Sequence, residues 1–200
     1  VLIQDGSSDP YIYAMDTNLF IDNLDLNATG NLGLDFDGTG SFEIKNSSIT
    51  GANSYGIEID GGNYTHTIEN CIFENNDTGL YIGENVITKI DNSEFINNSF
   101  RGINRQGYGG RLEVKNSLFQ NNGYGIYING ASAYLIDACE FSSNNNHGFQ
   151  HDSPSSNTPR IIENSNFFNN NNYGIYSNTN NMNYGPYIYN SKIANNENVG

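Results

Sequence analysis

The sequence predicts an all-β chain wound into a parallel β-helix of about eight rungs, each of 23–26 residues with three short strands. Three observations lead there. The pattern N-S-x-F-x-N-N-x-Y-G-I-x-I, clearest from Asn116 to Ile128, returns along nearly the whole chain. Its glycine falls at Gly33, Gly56, Gly79, Gly102, Gly125, Gly148, Gly174 and Gly200, in steps of 23 residues to Gly148 and 26 beyond it. A period that steady marks a solenoid, whose units bury their apolar faces only against their neighbours. Between the glycines, apolar residues recur at period two in short runs broken by Asn, Gly, Asp and Ser, which is strand and turn chemistry with no run long enough for a helix.

The first strand follows the glycine and carries Leu34, Ile57, Leu80, Ile103, Ile126, Phe149 and Ile175, with Phe36, Ile59, Ile82 and Ile128 two residues on. The second centres on Ile21, Ile44, Ile68, Ile90, Val114, Ile136, Ile162 and Ile188. The third centres on Leu26, Ile49, Phe73, Phe95, Phe119, Phe141, Phe167 and Ile193. Equivalent strands stacked about 4.8 Å apart make a rod of roughly 40 Å, with like side chains in columns. Asn23, Asn46, Asn70, Asn92, Asn116, Asn164 and Asn190 form one column between the second and third strands. Stacked amides can bond along such a column, and turn formation explains it better than function. The glycine column serves backbone conformation or close strand approach. Residues 1–32 are the least regular. Pro10-Tyr-Ile-Tyr matches Pro186-Tyr-Ile-Tyr, where a second strand opens, leaving Ala14 to Asn18 as an extra loop or distorted rung.

With its turn asparagines, its F-x-x-N copies (Phe73 to Asn76, Phe95 to Asn98, Phe119 to Asn122, Phe141 to Asn144, Phe167 to Asn170) and its G-I-x-I strands, the chain resembles the right-handed parallel β-helix superfamily. That superfamily includes pectate lyases, polygalacturonases, tail-spike proteins and surface adhesins. The resemblance implies a single-stranded right-handed coil over about nine-tenths of the chain. It implies little about activity, because the fold hosts unrelated functions.

Twenty-two acidic against eight basic residues give a net charge of −14, which makes nucleic acid and anionic membranes poor partners. No apolar run approaches the ~20 residues of a membrane span, so membrane insertion is not expected. The acidic, Asn-rich, Lys-poor composition suits an extracellular or cell-surface protein. Residues 1–200 form one domain, and both ends fall within a coil, as in a piece of a longer chain. Cys71 and Cys139 share a column with Ser47, Ser93, Ser117, Ser165 and Ser191. Three rungs separate them by about 14 Å, against the ~7 Å limit for a disulfide, so two small buried thiols are expected.

Candidate sites lie on the outward side of the first strand. Tyr55, Arg101, Tyr124, His147 and Tyr173 precede the glycine, while Tyr81, Asn104, Tyr127, Gln150 and Tyr176 follow two residues after it. Such a strip suits a polysaccharide or surface glycan, rings stacking on sugar faces and amides meeting hydroxyls. The plainer reading is that tyrosine packs well on an exposed parallel strand. Asp35, Asp37, Glu58 and Asp60 occupy two columns on adjacent rungs and could hold Ca²⁺, although Asp37-Gly38 and Asp60-Gly61 are also ordinary turn formers. No other cofactor is expected. Arg105 and His151 stand where Ile59, Ile82 and Ile128 face inward; the cost of burying a guanidinium predicts that the strand ends early and turns Arg105 outward.

In the resembling lyases and hydrolases the site lies on this face, and lyases there use a basic residue with Ca²⁺ or Arg at the substrate carboxylate. Arg101, Arg105, His147, His151 and Asp152 are the matching candidates here. His147-Gly-Phe149-Gln-His151-Asp152 resembles the Tyr-Gly-Phe-Asp-Pro-His motif of mannuronan epimerases, with His147 in the Tyr place and Gln150 in the Asp place. Three functions follow in order: a non-catalytic stalk or adhesive module touching glycans through the tyrosine strip, a uronate lyase or epimerase, and an end-to-end self-assembling subunit.

Overall fold

Each rung is held by what its columns share with the rungs above and below. The computed structural model describes residues 2–3, 10–30, 32–61, 64–153, 158–179 and 184–198. Val1, Gly200 and the middles of the two three-residue expansions lie outside them. The strands form three sheets that wind the chain into one coil. The first sheet comprises Leu2–Ile3, Ile12–Met15, Leu34–Asp37, Tyr55–Asp60, Thr78–Ile82, Arg101–Gln106, Tyr124–Asn129, Phe149–Asp152 and Ile175–Asn178. The second and third sheets have eight strands each, and every neighbouring pair in them is parallel. Registers follow the repeat: Ile57 pairs with Leu80, Ile68 with Ile90, and Phe95 with Phe119. The predicted apolar columns are the core, with Ile57, Leu80, Ile103 and Ile126 fully buried, except on the last rung, where Ile188 and Ile193 are each 44 % exposed because no further rung covers them among the described residues. No helix among the described residues is long and apolar enough to cross a membrane.

Two turn columns explain the asparagines. Asn23, Asn46, Asn70, Asn92, Asn116, Asn164 and Asn190 all have φ between 45° and 56°, the left-handed region that asparagine tolerates. Their exposed amides also link rungs, Asn92 Nδ2 donating to Asn70 Oδ1 at 2.7 Å and Asn70 Nδ2 to Asn46 Oδ1 at 3.1 Å. The second column, the terminal Asn of each F-x-x-N copy, is an internal ladder that the sequence reading did not assign. Asn76, Asn98, Asn122, Asn144 and Asn170 are at most 2 % exposed. The glycine column answers close approach: a Cβ on Gly125 would lie 2.3 Å from Gly148 O and 2.8 Å from the Phe141 ring. Cys71 and Cys139 are free and buried, with burial pushing Cys139 up to about 12.

The first rung corrects the sequence reading. Ile12 pairs with Leu34 and Ala14 with Phe36, so Pro10-Tyr-Ile-Tyr opens a first-sheet strand and Ala14 belongs to a regular rung. Pro186-Tyr-Ile-Tyr does enter the second sheet, where Ile188 pairs with Ile162. The two copies share only an alternating pattern, which fits any strand whose one face is buried. Leu2–Ile3 runs antiparallel to Ile12–Met15, unlike every other neighbouring pair of this sheet.

Candidate functional site

Strand alternation sends every second residue of the first sheet outward, and the parallel register sets these residues beside their equivalents one rung away. Arg101, Tyr124 and His147 thus come from successive rungs of one column, and Asn104, Tyr127 and Gln150 from the next. The Arg101 guanidinium carbon lies 3.9 Å from the Phe100 ring centroid and 4.0 Å from that of Tyr127. Burial between these faces holds its pKa below the ordinary arginine value. The Tyr127 hydroxyl donates to Asp152 Oδ2 at 3.0 Å, and Gln150 Nε2 donates to the same oxygen at 2.7 Å. Burial and then that carboxylate raise the Tyr127 pKa.

His147 continues the strip but is itself only 6 % exposed, closed in by the rings around it, and Gln150 and Asn104 are likewise buried. The His147 ring stacks on Tyr176 at 4.9 Å and on Tyr173 at 5.4 Å, and lies 5.7 Å from Tyr124. His147 Nδ1 accepts the Tyr173 backbone N–H at 3.2 Å, which places the proton of the neutral ring on Nε2. Burial lowers its pKa. Tyr55 and Tyr81 stack on each other at 4.8 Å and form a separate pair toward the N-terminal end. Phe100 was not singled out from the sequence; its place beside Arg101 was the available signal. Gln106 and Asn129 extend the amide row by a third column, joined by an Asn129 Nδ2 to Gln106 Oε1 bond of 3.2 Å.

Two predicted site residues are not on this face. Arg105 is fully buried, in register with Ile82 and Ile128, and the strand does not end early. Burial is tolerated because three carbonyls receive the guanidinium: Gln106 O at 2.7 Å, Gly109 O at 2.8 Å and Ile82 O at 3.4 Å. The tight 107–110 turn, with Gly107, Gly109 and Gly110 all at positive φ, brings the Gly109 carbonyl within reach. His151 is also fully buried, its Nε2 bonded to Gly130 O at 2.8 Å and its pKa pushed down to about 4 by burial. Neither can touch a surface ligand. Of the basic candidates, His147 and Arg101 remain on this face, Arg101 against Tyr127, whose hydroxyl meets Asp152.

The acidic columns align as expected, Asp35 with Glu58 and Asp37 with Asp60. Burial first, then Asp35, Asp60 and Asp37, raise the Glu58 pKa to about 7. Among the described residues no three His, Cys, Asp or Glu side chains are grouped to hold a metal ion. A groove of about 510 Å³ beside the exposed asparagine column, lined by Asn92, Glu94, Asn116 and Glu140, lies away from the aromatic strip.

Sheets, registers and turn columns together define a right-handed parallel β-helix with an aromatic face on its first sheet. The right-handed beta helix region family model matches residues 2–88 and 62–200, and the chain belongs to that family. Among solved structures it is similar to the A-module of the Azotobacter vinelandii mannuronan C-5 epimerase AlgE4, at 15 % identity and a TM-score of 0.65, over 92 % of this chain. The chain spans 62 % of that module's length. A pectate lyase, Pel9A, aligns at 16 % identity with a TM-score of 0.48, over 98 % of this chain and 71 % of its own. A search of curated protein sequences finds no match.

Proposed function

We propose that the chain is a polysaccharide-binding β-helical module of a secreted or cell-surface protein, a stiff rod whose first-sheet strip lies along a glycan without cleaving it. The observation carrying this reading is the continuous platform of Phe100, Arg101, Tyr127, Tyr124, His147 and Tyr176, bordered by amides and the Asp152 carboxylate. Ring faces suit sugar C–H surfaces, and the polar border suits hydroxyls. Burial of Arg105 and His151 removes two of the groups that the catalytic reading requires. A mannuronan epimerase among the similar structures makes a uronate polymer the first ligand to try.

A second reading, a uronate epimerase or lyase, is favoured by one cluster: Arg101, Tyr127, Asp152 and His147 bring a cation, a phenol, a carboxylate and an imidazole to one face. The test is incubation with uronate-containing and neutral polysaccharides, with binding and products followed together. Retention without new products, weakened about tenfold or more in Tyr127→Ala and Arg101→Ala, is the expected result; that loss corresponds to roughly 1.4 kcal/mol, the scale of one or two ring contacts. Turnover abolished by Asp152→Asn would replace binding with catalysis.

A further inference from the structure

Inside the coil, where the first sheet passes to the second, three large polar side chains are buried together. Tyr134 and Arg160 are each 1 % exposed and His151 is 0 % exposed. Tyr134 and Arg160 are register partners in the second sheet, and the Tyr134 ring lies 5.4 Å from His151, edge on. The bonding of this group is incomplete. Arg160 Nη1 donates to Tyr184 O at 3.1 Å, but among the described residues Nε and Nη2 reach no acceptor. The Tyr134 hydroxyl has no partner either. His151 donates from Nε2 to Gly130 O, so its neutral ring offers only a lone pair at Nδ1.

Charge is unbalanced as well. The ion pairs among the described residues are Lys45 with Glu43 and Glu69, and Arg111 with Glu113; none involves Arg160. Asp152, which follows His151 on the first-sheet strand, accepts from Tyr127 and Gln150 on the outer face. Arg105, two rungs earlier at the same corner, is held by three carbonyls, whereas Arg160 has one. A buried guanidinium with donors to spare is costly unless an opposite charge meets it.

We propose that this corner is a binding site for a small monovalent anion of halide size, held by Arg160 Nε and Nη2 and by the Tyr134 hydroxyl. One anion matches one guanidinium, and the weak hydration of guanidinium suits a partner that must shed water to enter. With all three side chains at most 1 % exposed, a small ion suits the site better than a sugar or a bulky oxyanion. Water would bond the same donors but would leave the charge uncompensated. The anion takes its place as a structural ion inside the coil, on the opposite side of the first sheet from the aromatic strip.

Bromide is the probe. Crystals grown in sodium bromide are expected to show an anomalous peak within hydrogen-bond distance of Arg160 Nε and Nη2; its absence there overturns the proposal. Thermal unfolding at equal ionic strength adds a solution test. Chloride at about ten times its dissociation constant should raise the midpoint by roughly 3–5 °C relative to gluconate. The difference should vanish in Arg160→Met and shrink in Tyr134→Phe. Equal midpoints in chloride and gluconate, or a chloride effect that survives in Arg160→Met, reject the site. Should Arg160→Met fail to fold, the bromide map and Tyr134→Phe still decide.

Discussion

Two interior corners of the coil solve the same problem differently. Where the third sheet turns into the first, five successive rungs repeat one solution. Phe73, Phe95, Phe119, Phe141 and Phe167 stack at 4.5–5.0 Å with rings within 6° of parallel. Beside them each internal asparagine is saturated. Asn122 Nδ2 donates to Phe95 O and Asn144 Oδ1, while its own Oδ1 accepts from the backbone N–H and the amide of Asn98. Where the first sheet turns into the second, no two rungs agree. Phe36 and Phe42 meet His66 at one level, Arg105 is wrapped by carbonyls at another, and Tyr134, His151 and Arg160 share a third. The uniform corner propagates the coil because each residue is its neighbour's partner. The variable one is free to differ because its loops bring fresh partners rung by rung.

The largest effect should come from breaking the uniform corner. Asn122→Leu deletes four buried hydrogen bonds and strands the Asn98 backbone N–H, so a loss of about 4 kcal/mol is expected in urea unfolding. A loss under about 1 kcal/mol would mean that the internal ladder is decoration. At the variable corner, Arg105→Met takes the guanidinium donor from the Gln106 carbonyl, leaves the Gly109 carbonyl only the Ser132 hydroxyl, and should cost about 2 kcal/mol. Arg160→Met, measured in gluconate, should be near neutral or stabilising, because it removes an unpaired charge. Equal costs at the two arginines would erase the distinction between a guanidinium held by three carbonyls and one held by a single carbonyl.

The outward face has its own variable column. Folded Glu58 keeps its proton up to about pH 7, while the unfolded carboxyl loses it near 4.5, so folding takes up a proton between those values. Its contribution is therefore full below about pH 4.5 and is lost as the pH rises through 7. Glu58→Gln should flatten the decline in melting temperature across that window, and an undiminished decline would assign it to other groups. Asp35, which burial and its acidic neighbours also raise, should show a weaker version of the same behaviour.

What could be read in the sequence follows this division. Apolar columns, turn asparagines and the glycine column were legible because stacking makes each residue's environment a copy of its own sequence position one rung away. Arg105 and His151 were misplaced because their burial depends on carbonyls supplied by the 107–110 turn and by Gly130, which no period announces. The tyrosine strip was legible as a column, but the Arg101 sandwich needed Phe100, which lies outside the repeat. The first rung was misread because alternation alone cannot say which sheet a strand joins.

The smallest expected effect tests whether the exposed asparagine column matters beyond its backbone angle. Ala138 occupies that column with φ of 53°, a conformation costing a residue with a plain Cβ about 1 kcal/mol. The amide chain runs around it: Asn116 Nδ2 donates to Asp91 and Asn164 Nδ2 to Asp137. Ala138→Gly removes the steric penalty but adds backbone freedom to the unfolded chain, so little net change is expected. Ala138→Asn tolerates the same angle and restores a donor toward Asn116, as Asn92 donates to Asn70. A gain of about 1 kcal/mol, or roughly 2–4 °C in melting temperature, is expected for it. If Ala138→Asn is no better than Ala138→Gly, the exposed asparagines are there for φ alone, and hydrogen bonding along the coil belongs to the buried ladder.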